Sequence, residues 1–284
     1  RAKIVFISRS RGDMSSTSPR AWPWTASSSP EPYFESAWIQ SLEEIHPITL
    51  QPIEKESLTL EELISWLAIQ QFDGEQTTIE EWLDCNNFSS LTERTPFLLQ
   101  GELANPYRLA DLRISGMPII PVRMDGIARV WTDVIDGREV SPGIHHVTLA
   151  RTKGWWETTW LGFADKKQAL TMTEWLNDGR GTNWRWSTVG EGSLSLTFDF
   201  LIQPPNLGDM EWDGEIESVS ASPPPLSGPK LSWSDVKVIL FTRQGCYDNR
   251  GKLARCAHIK QRQFHDDMFR RGSAKVWNNI LDLV

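Results

Sequence analysis

The chain has 284 residues, of which 39% are hydrophobic, and a formal net charge of −8. That length can bury one large core or two modest ones. Its longest apolar run, Val238-Ile239-Leu240-Phe241, is a strand's length and far short of the ~18 residues of a membrane-spanning helix. Cys85, Cys246 and Cys256 are too few, and odd in number, for a disulfide framework, which points to a reducing compartment or a particle assembled in one.

The net charge hides an asymmetry. From Glu31 to Ala104 fifteen acids face only Lys55 and Arg94, a local charge of −13; from Arg243 to Lys275 nine bases face three acids, a local charge of +6. An acidic flank and a basic tail in one chain can pair with each other or with a neighbouring copy.

Residues 3–8 read as a short strand; the basic start before them leads into an apolar run too short for a signal peptide. Residues 9–32, rich in Ser, Pro and Arg around Trp22-Pro23-Trp24, read as an extended arm, because Pro removes backbone donors and Ser competes for backbone bonds. The tripeptide Arg11-Gly12-Asp13 carries little information without a presenting hairpin.

A helix is expected over residues 59–71. Thr59 and Glu62 form a capping box, Leu60, Leu63, Ile64, Leu67 and Ala68 make one apolar stripe, and Asp73-Gly74 supplies the stop. Thr78 and Glu81 repeat the box ahead of a shorter helix carrying Ile79, Trp82 and Leu83.

From Leu109 the texture turns to β. Asp125-Gly126, Asp136-Gly137 and Asp213-Gly214 are expected as hairpin turns, because Asp-Gly tolerates the positive φ that tight turns need. Strands are expected at 144–150, 155–163, 183–188, 194–202 and 235–242. A helix opens at Asp165 with Gln168 three residues on, carries Ala169, Met172, Thr173 and Leu176 on one face, and stops near Gly179. The triple proline Pro223-Pro224-Pro225 marks a stiff connector. Beyond it the basic tail reads as helical, with Phe264 and Met268 one turn apart and a last helix capped by Ser273.

The expected class is therefore α+β, mainly β: an antiparallel β-sandwich or barrel-like core with hairpins, an acidic helical segment and a basic α-helical tail. Five parts follow: an N-terminal strand and arm (1–32), the acidic segment (33–105), a Trp-rich antiparallel β domain with one helix (106–217), a Pro-rich connector (218–229) and a basic strand-plus-helix segment (230–284).

Motifs for chemistry are sparse. The sequence has no Gly-x-Ser-x-Gly elbow and no Walker loop, so no catalytic residue and no cofactor is assigned. Cys246, Cys256, His258 and His265 are possible zinc ligands without the spacing of a known finger, and the adjacent His145-His146 should point to opposite faces of a strand. Carboxylate pairs such as Asp133 with Asp136, or Glu211 with Asp213, are more simply solvated acids beside turns.

Tryptophan is the strongest signal, with fifteen residues in all. Trp155, Trp156, Trp160, Trp184 and Trp186 fall within 32 residues, where they could form core, interface or a sugar-stacking platform. With Arg262, Arg270, Arg271 and Lys275 of the basic tail they are the candidate interface residues.

Gly154-Trp155-Trp156-Glu157-Thr158-Thr159-Trp160-Leu161-Gly162-Phe163, the helix from Asp165, and Thr182-Asn183-Trp184-Arg185-Trp186 together resemble the strand-helix-strand pattern of tail-tip proteins of tailed bacteriophages, the minor-tail or distal-tail type. The resemblance spans residues 154–204. It implies a structural protein of a tail tip, baseplate or connector, a ring-like homo-oligomer in contact with other particle proteins, located in the virion after assembly in the host cytoplasm. Two other readings stay open: a carbohydrate-binding module using surface Trp, and a nucleic-acid-associated factor using the basic tail.

Overall fold

A computed structural model describes residues 29–31, 33–72, 75–138, 143–178, 183–199, 202–241, 245–246 and 252–267. Its strands are β1 (Ala37–Gln40), β2 (Ile45–Thr49), β3 (Ser57–Leu58), β4 (Gln71–Phe72), β5 (Thr95–Leu99), β6 (Met117–Asp136), β7 (Ile144–Ala164), β8 (Trp184–Ser187), β9 (Ser193–Leu196), β10 (Met210–Trp212), β11 (Glu217–Val219), β12 (Lys230–Leu231) and β13 (Lys237–Phe241). Its helices are α1 (Leu60–Ala68), α2 (Ile79–Cys85), α3 (Pro106–Asp111), α4 (Lys166–Leu176) and α5 (Gln261–Asp267). The protein is mainly β, as expected.

The strands form a mixed sheet in the order β3-β12-β9-β6-β7-β5-β13-β8, with β1, β2, β4, β10 and β11 attached beside this path. Pairs β3–β12, β5–β13 and β7–β11 are parallel, which corrects the purely antiparallel layout. The acidic segment contributes β1 to β5 to this sheet as well as its two helices, so it is not helical throughout.

The period-2 alternation of the strands divides the apolar side chains between two faces. Leu98, Ile120, Val122, Leu161, Phe163 and Val238 pack with Leu63 and Leu67 of α1 and Ile79 and Leu83 of α2. Phe97, Leu99, Ile119, Trp160 and Ile239 pack with Leu109 of α3 and Ala169 and Met172 of α4. The centre of the sheet is thus covered by helices on both sides, and its strands read as continuous apolar runs rather than alternating ones.

All three expected capping boxes are present. The Thr59, Thr78 and Asp165 side chains accept from the backbone N–H of Glu62, Glu81 and Gln168, and each partner side chain returns the bond. The first helix stops at Ala68, earlier than expected, because the chain turns into β4; Asp73 and Gly74 lie outside the described residues, as does Gly179. Asp178, at φ 54°, takes the left-handed position just beyond α4.

The two long strands β6 and β7 make one hairpin, but Asp136-Gly137 is not a tight turn: the last pair is Asp136 with Ile144, which leaves residues 137–143 between the strands, and Gly137 does not take positive φ. Asp125-Gly126 is not a turn. Residues on both of its sides pair with successive stretches of β7, so the chain cannot reverse there. Gly126 does take positive φ, +81°, but within a bulge where one residue of β6 faces four of β7, Thr152 to Trp155. A second bulge sets Thr132 to Val134 of β6 against His146 alone. For the same reason the two strands expected at 144–150 and 155–163 are one strand, β7. Asp213-Gly214 does close a hairpin, β10–β11, with Asp213 Oδ1 accepting from the backbone N–H of Glu215 and Ile216.

The strand expected at 194–202 shortens to β9. It pairs with β6 on one edge and β12 on the other, and Ser195 is buried along with Leu194 and Leu196, so neither face of it is solvated; residues 200 and 201 lie outside the described residues. The connector is not a free spacer. Buried Arg123 donates from Nη1 to the Pro224 carbonyl at 2.6 Å and to the Pro225 carbonyl at 3.3 Å, tying the prolines to β6.

Candidate functional site: a cavity beside a buried ion pair

The bulge at Gly126 brings Arg129 of β6 back over Glu157 of β7. The Arg129 backbone N–H donates to Glu157 Oε1 at 2.6 Å, and its Nε and Nη2 donate to Oε2 at 3.1 and 3.0 Å. Burial works against the arginine charge, but Glu157 outweighs it and holds the guanidinium above its ordinary range. The guanidinium carbon sits 5.6 Å from the ring of Tyr33 and 5.5 Å from that of Trp160, and those two rings lie 4.3 Å apart.

A cavity of about 220 Å³ opens beside this pair. Tyr33, Arg129, Trp131, Glu157, Thr158 and Lys260 are among its walls. Burial raises the Tyr33 phenol far above its usual range, so it keeps its proton and can donate. Cys256 also borders the cavity, and burial pushes its thiol up in the same way, so it is held as the weakly reactive neutral form. Lys260 stands at the exposed rim, 3.4 Å from Glu31.

A second ion pair lies nearby. Arg255 meets Glu217 of β11 at 3.0 Å, donates to Thr152 Oγ1 and lies 5.4 Å from the ring of Trp155. These contacts fasten the C-terminal segment and the β10–β11 hairpin to the long ribbon.

The histidines separate as strand geometry requires. The His145 ring faces the Thr132 carbonyl through Nδ1 at 2.6 Å and His265 Nδ1 through Nε2 at 3.1 Å. His146 points the other way, edge-on to Trp175 and Trp184. Burial lowers the pKa of both, that of His145 to about 4.

Most of the sequence-based candidates are core. Trp155, Trp156, Trp160 and Trp184 are all buried within this chain, which corrects their assignment to an interface and removes them from any sugar-stacking platform. Their ring N–H groups explain part of this: Trp156 donates to the Gln203 carbonyl and Trp160 to the Phe34 carbonyl, so each indole crosses to a neighbouring segment. Trp186 is 42% exposed, with its N–H on Thr173 of α4. Arg262 is partly exposed and sits 3.6 Å from Asp266, one helical turn away. Arg270, Arg271 and Lys275 lie outside the described residues, as do Met268, the helix expected from Ser273, the strand at 3–8, and residues 9–28 of the arm, with Arg11-Gly12-Asp13.

The proposed zinc ligands are also dispersed. His258 faces the Pro205 carbonyl at 2.7 Å, His265 faces His145, and Cys246 packs with Ala128 and Trp155. Among the described residues no three His, Cys, Asp or Glu side chains gather as a metal site. Asp136 is buried against Arg138; burial opposes its charge, but the Arg138 bonds prevail and hold its carboxyl down at about 2. Asp133 accepts from the Gly245 backbone N–H.

The cavity itself was not anticipated. Tyr33, Arg129 and Glu157 come from three distant parts of the chain. The available signal was a single charge on each of two strands, Arg129 between the apolar Ala128 and Val130, and Glu157 between the uncharged Trp156 and Thr158.

No family model, curated protein or solved structure matches the chain.

Proposed function

We propose that this chain is a structural assembly protein that acts through protein–protein contact. The observation that carries this reading is the β10–β11 hairpin. Leu207 just before it, Trp212 at the end of β10 and Ile216 in its turn are 66%, 61% and 48% exposed, while most other large apolar groups among the described residues are covered. Asp213 fixes the turn, so these side chains are presented by a preorganised element. An exposed indole flanked by aliphatic groups on a rigid hairpin is the composition of an interface hot spot. The exposed acids of the first two helices, Glu61, Glu81 and Asp84, add a surface that a basic segment of another copy can meet.

The more specific reading, a component of a phage tail or related particle, rests on the tryptophan pattern of residues 154–204. It is favoured over the carbohydrate reading because four of the five clustered indoles are interior.

Sedimentation of the purified chain tests the proposal. The native protein should sediment as an oligomer, and Trp212→Ser with Ile216→Ser should shift it to monomer without loss of thermal stability. A native chain that is monomeric and does not bind other components of its particle overturns it.

A further inference from the structure

We propose that the cavity beside the Arg129–Glu157 pair is a binding site for a small aromatic carboxylate. This is independent of the assembly reading.

A guanidinium carries five N–H groups in a rigid fork and can bridge two carboxylates at once. Glu157 occupies the Nε and Nη2 edge of Arg129. The Nη1 end makes no hydrogen bond among the described residues, although Arg129 lines the cavity. Thr158 borders the same space, but its hydroxyl, without a partner among the described residues, is buried behind the wall and out of a ligand's reach. Tyr33 lines it too, with its phenol held protonated by burial.

The acceptors beside the guanidinium are engaged, while Glu31 at the rim, whose Oε1 meets Lys260, keeps an exposed carboxylate. Both oxygens of Glu157 are engaged by Arg129, and the Gln203 carbonyl takes the Trp156 N–H. A molecule that meets the Nη1 end of Arg129 must therefore bring its own acceptor. A carboxylate answers a free guanidinium end with charge-assisted bonds, the strong kind. Lys260 at the rim is paired with Glu31, so the anion-binding charge is that of the guanidinium end.

The walls and the size decide the rest. Tyr33 and Trp131 supply aromatic surface. The volume of about 220 Å³ is far more than the roughly 10–15 Å³ a single water needs. A ring bearing one carboxylate satisfies both the donors and the aromatic walls.

Benzoate is the probe, followed by calorimetry and tryptophan fluorescence on the full chain, with benzamide as the neutral isostere. Benzoate should bind one site with a Kd below about 1 mM, and benzamide about tenfold more weakly. Tyr33→Phe keeps the shape of the site and removes its hydroxyl, and should weaken benzoate about fivefold or more while the melting temperature holds, whereas Thr158→Val, whose hydroxyl the ligand does not reach, should leave the affinity unchanged. Arg129→Lys, which keeps the charge and loses the fork, should weaken it further. The proposal is overturned if benzoate shows no saturable binding up to about 10 mM, if benzamide binds equally, or if Tyr33→Phe binds as the native chain does.

Discussion

Arg129 and Glu157 are joined by three hydrogen bonds, one of them from the Arg129 backbone, with Glu157 almost wholly buried. Breaking a buried pair from one side strands the other charge, which costs about 3–5 kcal/mol, whereas replacing both partners with apolar groups is often near neutral. Glu157→Leu should therefore lower the unfolding free energy by about 3–5 kcal/mol, and Glu157→Leu with Arg129→Met should lose clearly less than the sum of the two single changes. Denaturant titration of the four proteins in the cycle measures this; additive losses would show that the pair is not coupled.

His145 sets a pH window. Burial is the main cause of its lowered pKa, with His265 adding to the effect, and the value falls from 6.5 to about 4. Between these values the unfolded chain binds a proton that the folded chain refuses. Stability is thus full above about pH 6.5, falls as pH drops towards 4, and levels off below, for a loss on the order of 3 kcal/mol from this group. His146 and His258 are shifted the same way, also chiefly by burial, and steepen the slope. Asp136 acts lower, between 3.8 and about 2, where protonation removes the stability its Arg138 bonds provide. Chemical denaturation at pH 7.5 and pH 5 checks this: His145→Asn should reduce the difference between the two values, and an unchanged difference would refute the assignment.

The glycines at the Gly126 bulge make a third expectation. Gly126 and Gly192 both take positive φ, and a Cβ on Gly126 would lie 3.2 Å from the Gly192 Cα. A Cβ on Gly192 would collide with the backbone carbonyl of Asp125. Strain from the left-handed backbone adds about 1–2 kcal/mol to that clash. Gly192→Ala should therefore destabilise more than Gly190→Ala, where a Cβ meets nothing within 4 Å. Thermal melts of the two variants compare them directly.

What could be read in the sequence was local. The capping boxes at Thr59, Thr78 and Asp165 depend on residues three apart, and the Asp213-Gly214 hairpin on four consecutive ones, so their chemistry is visible without a partner. Asp125-Gly126 shows the limit: the dipeptide correctly marks positive φ, but whether the chain turns or bulges is decided by β7, which supplies partners on both sides. The parallel pairing of β5 with β13 joins Phe97 to Lys237, and no periodicity encodes that. The tryptophans were legible as bulk but not as location, since Trp160 and Trp186 differ mainly in what other segments lay over them. The cavity was illegible because Tyr33, Arg129 and Glu157 meet only after the ribbon has bent.

The last expectation concerns the proline connector. Arg123 is buried and divided between two duties: its Nε and Nη2 hold the Asp125 carboxylate, and its Nη1 holds the Pro224 and Pro225 carbonyls. Prolines have no N–H to join a ladder, so their carbonyls must find a donor elsewhere. Arg123→Met keeps much of the bulk and removes that donor. It leaves Asp125 unpaired by this residue and should cost about 2–4 kcal/mol, since hydrogen bonds to charged groups are worth more than neutral ones and the lost partners are partly buried. The connector should also loosen before the core does, because the Arg123 bonds are what hold its middle to β6. Limited proteolysis should then cut within residues 220–228 in Arg123→Met under conditions where the native chain resists, while β6–β7 amides keep their exchange protection. Equal resistance of the two proteins would mean that the prolines are held by their own stiffness and by β12, and not by Arg123.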